Sequence, residues 1–120
     1  MRKGFAFVLL AVGLLRLVWL AHSKVVQGRR EAAYHAAIAP FQRDLRAGMD
    51  RAEVQAYLAS RRVDYHPVRY AGSDADTYEI KIGEEPGSLV CAHWTVYVAL
   101  EFSAADKLRE VHVRKIGTCL

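Results

Sequence analysis

A chain of 120 residues, 52% hydrophobic and 25% charged, has the composition of one ordinary globular domain, with its apolar residues unevenly spread. The formal charge of +4 does not mark a nucleic-acid binder: removing Arg2, Lys3 and Arg16 from 17 basic residues leaves 14 against 13 acidic ones, and no basic patch interleaved with aromatics stands out. What remains is dipolar, with 8 basic and 4 acidic residues over 24–62, then 6 and 9 over 63–120.

Residues 1–23 differ in kind from 24–120 and form a separate segment. Gly4 to Ala21 is an apolar run of eighteen residues interrupted only by Arg16 and preceded by Arg2 and Lys3, the pattern of a membrane-directed segment. One reading is a cleaved signal peptide, with Gly4 to Leu15 as its apolar region and Ala21-His22-Ser23 as the cleavage site. The other is a retained signal-anchor, since eighteen helical residues span about 27 Å. Val18-Trp19-Leu20 continues the run past Arg16 and favours the anchor. Arg16 would then snorkel toward head groups beside Trp19, an interfacial residue type, or pair with a carboxylate on a partner's membrane helix. Arg2 and Lys3 compete with Lys24, Arg29 and Arg30, so the positive-inside rule gives only a slight vote for a cytoplasmic N-terminus and an extracytoplasmic domain.

Arg29 to Ala47 reads as a helix, with Tyr34, Ile38, Phe41 and Leu45 on one face. Pro40 should kink it or start a new helix there, and Gly48 is a candidate C-cap. Asp50-Arg51-Ala52-Glu53 has the form of a capping box opening a second, short helix. Val54, Tyr57 and Leu58 supply that helix's apolar face, and Arg61-Arg62 meet its C-terminal dipole.

From Val63 the period changes. Val63, Tyr65, Val68 and Tyr70 belong to a short extended piece that Pro67 confines to an edge or an irregular stretch. Residues 71–76 are turn-rich. Tyr78, Ile80 and Ile82 alternate with Glu79 and Lys81 as a strand with one wet face, and 83–88 reads as a polar loop. Trp94 to Phe102 and Leu108 to Ile116 form a hairpin, with Trp94, Val96, Val98, Leu100 and Phe102 on one face. Unbroken pairing from Phe102–Leu108 would set Leu100 against Glu110 and Val98 against His112. A β-bulge near Arg109 or Glu110 instead restores Leu100–Val111 and Val98–Val113. With no βαβ alternation, the expectation is an α+β domain, a two-helix layer on a three-stranded antiparallel sheet (αα-βββ) behind an N-terminal membrane helix.

Leu45 to Val54, followed by Leu58, resembles the helix-turn-helix signature of the SmpA/OmlA (BamE-like) small envelope family, and Phe102 to Leu108 with Val111 and Val113 is similar to that family's closing hairpin. The resemblance covers about residues 41–116 and implies an αα-βββ domain, usually a periplasmic protein-binding module rather than an enzyme. No cysteine follows the apolar segment, so the lipid attachment typical of that family is missing.

Two cysteines in an exported chain, Cys91 and Cys119 at the two ends of the hairpin, are candidates for a disulfide; the alternative is two unpaired thiols. His93 and His112 could approach across the hairpin near Cys91, but no spacing has metal-site specificity, and no catalytic, cofactor-binding or metal-ligating residue is assigned. Arg43, Arg46, Arg51, Arg61 and Arg62 form either a solvated helical face or a set of contacts to anionic head groups, each contributing about 1 kcal/mol. The reading is therefore a non-enzymatic, membrane-anchored envelope protein, with other envelope or membrane proteins and the lipid bilayer as partners, no nucleic acid and no small-molecule substrate. The alternative is a single-span accessory subunit of a multisubunit integral-membrane complex. The expected location is the inner membrane with a periplasmic domain, or secretion if residues 1–23 are cleaved.

Overall fold

The computed structural model describes residues 2–119. Two compact units divide the chain, Met1–Ala33 and Tyr34–Leu120. The first is helical and belongs to α1 (Arg2–Asp44), the one helix among the described residues that is long and apolar enough to cross a membrane. Helix thus begins well before Arg29. Nothing from Ala21 to Gly28 forbids it, since the stretch holds no proline and only one glycine.

The second unit holds the end of α1, the short helix α2 (Arg51–Ser60) and four strands, β1 (His66–Arg69), β2 (Asp76–Pro86), β3 (Cys91–Phe102) and β4 (Leu108–Cys119). The strands are antiparallel in the order β1-β2-β3-β4. The sheet has four strands rather than the three expected, because the piece containing Pro67 pairs with β2 along its whole length, from His66–Glu79 to Arg69–Asp76. As an edge strand it has one side on which the missing proline N–H costs no ladder bond.

Ile38 and Leu45 of the first helical face and Val54 and Leu58 of α2 pack on Tyr78, Ile80, Val98, Leu100, Phe102 and Leu108. The helix continues through Pro40 rather than restarting there; Ile38, Phe41 and Leu45 straddle the proline in this core, and their packing offsets the lost hydrogen bond. It stops at Asp44, so Gly48, with φ of 94°, serves the following turn and is not the helix cap. In that turn Gly48 N–H donates to Leu108 O, and Leu108 N–H donates to Met49 O. The capping box does not form either. Asp50 occupies the N-cap position without a side-chain cap bond, because its carboxylate accepts from Lys107 Nζ across the turn.

The bulge in the final hairpin lies where the alternation demands it. Phe102 pairs with Leu108 and Glu101 with Glu110, leaving Arg109 as the extra residue, so that Leu100 meets Val111 and Val98 meets Val113. A second irregularity, between Lys81 and Gly83, leaves Ile82 unpaired and carries β2 on to Pro86. The polar stretch 83–86 is therefore strand and not loop. The shift turns Gly83 and Glu85 to the helix side, where Tyr34 rests on Gly83 and its hydroxyl lies 3.0 Å from Glu85 Oε1.

Phe102 is fully buried, 4.8 Å from the Tyr78 ring and 4.8 Å beneath the Arg51 guanidinium. Phe102→Ala should lower the unfolding free energy by about 3–5 kcal/mol, measured by urea denaturation of the oxidised protein.

Candidate functional site

Three regions carry chemistry beyond packing. In the first unit, every large hydrophobic side chain from Phe5 to Leu20 is exposed, from Phe7 at 82% to Val12 and Leu20 at 48%. Leaving so large a contiguous apolar surface in water is strongly unfavourable. Arg16 lines a shallow groove with Trp19 and Leu20, so the charge and the interfacial aromatic predicted to lie together do share one face of the helix.

The second region is the end of the sheet nearest Tyr34, where the chain enters the second unit. Cys91 and Cys119, brought directly opposite in the ladder by a register shift between Cys91 and His93, form the disulfide for which they were candidates. Lys115 Nζ lies 3.2 Å from Glu85 Oε1 and 5.5 Å from the Tyr34 ring centroid, which ties β4, β2 and the helix together.

The third region, on the sheet face away from the helices, was missed by sequence reasoning. Glu79 is 5% exposed and sits on this face. Its carboxylate accepts from the Tyr70 hydroxyl. Arg114 lies 4.5 Å from the Tyr70 ring centroid and 3.5 Å from Glu101 Oε1. Burial pushes the Glu79 carboxyl above its ordinary value, against the opposing pull of Arg114 and His66. Glu101, Glu110 and His112 bring ligand atoms within 4.8 Å of one another, and His112 Nδ1 is buried with no hydrogen-bond partner among the described residues. Two carboxylates and an imidazole are a donor set for a divalent transition metal; the Arg114 guanidinium beside Glu101 competes for one of them. The available signal was Tyr70 and Glu79, whose side chains share this face, but alternation alone marks such positions as wet.

The histidine pairing considered from sequence does not occur. His93 stands opposite Thr118 and His112 opposite Ala99, six ladder steps or about 20 Å apart, and Cys91 is held in its disulfide. The five arginines are spread around the far end of the unit. Arg51 bonds Asp76 at 3.0 Å and Asp106 at 2.7 Å, while Arg43 and Arg61 both reach Asp44, at 3.0 and 3.1 Å. Arg46 and Arg62 are exposed. Hydrogen bonds from Arg43 and Tyr57 hold the Asp44 carboxyl down at about 2, so this perturbation has a structural cause. Asp76 is lowered likewise, by Arg69 and Arg51.

Comparison with known families, with curated proteins and with solved structures gave no match.

Glu79 and the disulfide give two expected outcomes. The folded Glu79 carboxyl titrates above its ordinary 4.5, so the native state binds more protons than the unfolded one in that window. Its contribution to stability therefore falls as pH rises from about 4.5 through the folded pKa. Glu79→Gln should remove that slope from the melting temperature followed between pH 4 and 8. Cys91→Ser with Cys119→Ser, opening a separation of 28 residues, should cost about 3–4 kcal/mol in denaturant unfolding.

Proposed function

We propose that the protein is a non-enzymatic, membrane-anchored envelope protein. Gly4 to Ala21 is its inner-membrane span, and its α+β domain lies on the periplasmic side, where it binds other envelope proteins. The observation that carries this reading is the apolar helix, none of whose most hydrophobic eighteen-residue window is buried within the fold. The disulfide supports an oxidising compartment. The resemblance to the SmpA/OmlA (BamE-like) domains supports a binding role, with this sheet carrying one short extra edge strand.

The free edge of β4 is the surface offered for binding. Residues 48–50 cover its start through the Gly48, Met49 and Leu108 bonds and the Asp50–Lys107 bridge. From Arg109 to Cys119 no strand lies beside it among the described residues. An extended segment of a partner can add there as a fifth strand, its backbone bonding the free groups of β4. Arg109 favours an acidic one.

A photocrosslinking residue placed at Arg109 of the full chain in its host membranes should trap a polypeptide that the same residue at Arg69, on the opposite edge, does not. Equal trapping at both edges, or none at β4, would count against binding along this edge. The second reading, an accessory subunit docked through its membrane helix, is favoured by Arg16 within the apolar run. Arg16→Leu should release the chain from a larger complex on native gels if that arginine is paired, and change nothing if it snorkels.

A further inference from the structure

The β2–β3 loop, Gly87 to Val90, presents Leu89 at 101% and Val90 at 65% exposure. Hairpin tips ordinarily carry glycine, asparagine, aspartate or serine; two adjacent large hydrophobic side chains there are unusual. The loop holds them outward by construction. Ser88 N–H donates to Cys91 O at 2.7 Å, and Gly87 lies so close to the returning strand that a Cβ would fall 1.9 Å from Cys91 O. The Cys91–Cys119 disulfide fixes the base.

The surroundings of this tip are uncharged. From Pro86 to Trp94, and from Ile116 to Cys119, the sequence contains no Asp, Glu, Lys or Arg. The nearest carboxylates on β2 are already neutralised, Glu84 by Lys81 and Glu85 by Lys115. The opposite end of the sheet carries Asp50, Lys107, Arg51, Asp76, Asp106 and Arg69 in ion pairs. The chain enters this unit at the uncharged end, where Tyr34 lies against Gly83 and Glu85. Twelve residues, His22 to Ala33, separate the apolar run from this unit.

From this match of apolarity and charge at the end where the chain enters the unit we infer that the Leu89–Val90 tip inserts into the outer interface of the bilayer that holds the anchor, giving the domain a second membrane contact. The inference rests on the anchor reading. Insertion restricts the swing of the domain and presents the free edge of β4 at a fixed inclination to the membrane surface.

Leu89→Cys, labelled with an environment-sensitive fluorophore while the native disulfide stays closed, tests this in the full-length protein. The protein is reconstituted at less than one copy per vesicle of phosphatidylcholine and phosphatidylglycerol. The label should be quenched by lipids spin-labelled near the head group and should show several-fold weaker quenching by aqueous iodide than a label at Ala105→Cys on the opposite loop. Co-flotation with the vesicles reports the anchor independently. Flotation with the position 89 label open to iodide overturns the inference and leaves the anchor reading intact. Protection from iodide without lipid quenching indicates a protein contact and also overturns it. Failure to float removes both.

Discussion

The second unit depends on covering one face of β3. Val96, Val98, Leu100 and Phe102 are fully buried at alternate positions, and as a central strand β3 is held by ladders on both sides. Such a face is removed from water only if neighbouring strands keep their own apolar residues in step and helices lie across it. Ile38, Leu45, Val54 and Leu58 provide the helical cover. The register shifts then follow as corrections. Arg109 is looped out so that Val111 and Val113 arrive on the buried side, and Ile82 is looped out where the helix needs the bare backbone of Gly83 beneath Tyr34. Each extra residue reverses the alternation once; the first sets Arg114 beside Glu101 on the outer face, and the second brings Glu85 to Tyr34 and Lys115.

The same logic explains the buried charge on the opposite face. Glu79 and Thr77 are enclosed although no helix covers them. Tyr70 folds over the sheet from beyond β1, and Arg114 stacks on its ring from β4. A carboxylate so placed is costly unless it is bonded, and Tyr70 supplies the bond. The face is thereby a miniature polar core, its residues drawn from β2, β3, β4 and the segment just after β1.

Much of the architecture was legible because period carries it. The face of α1 from Tyr34 to Leu45, the α2 core residues and the Arg109 bulge all follow from which residues must be inside. The features that were not legible rest on competition between partners of similar strength. Asp50 can cap α2 or pair with Lys107, and sequence gives no distance by which to choose. The strand 83–86 looks like a loop because its polar residues are read against solvent, whereas Tyr34 and Lys115 are waiting for Glu85. Pro67 lowered the standing of β1, yet an edge needs only one side of its ladder. The Tyr70–Glu79–Arg114 group was hidden because its members lie on three separate segments, and only the strand order brings them together.

The two ends of the sheet are closed differently, the end nearest Tyr34 having a covalent link beside its Glu85–Lys115 ion pair. At the α1–α2 turn, ion pairs bind the turn to the β3–β4 loop through Asp50 with Lys107 and Arg51 with Asp106. Such pairs hold where water can solvate the partly exposed ions, and each is individually weak. At the other end, where Leu89 and Val90 protrude and no formal charge lies between Pro86 and Trp94, the Glu85–Lys115 pair sits back from the tip beside Tyr34, and an ion pair at the tip itself would carry a desolvation penalty against an apolar surface. A disulfide carries none. It constrains the strand ends without leaving a charge to hydrate, so this end can meet a nonpolar medium without losing its closure.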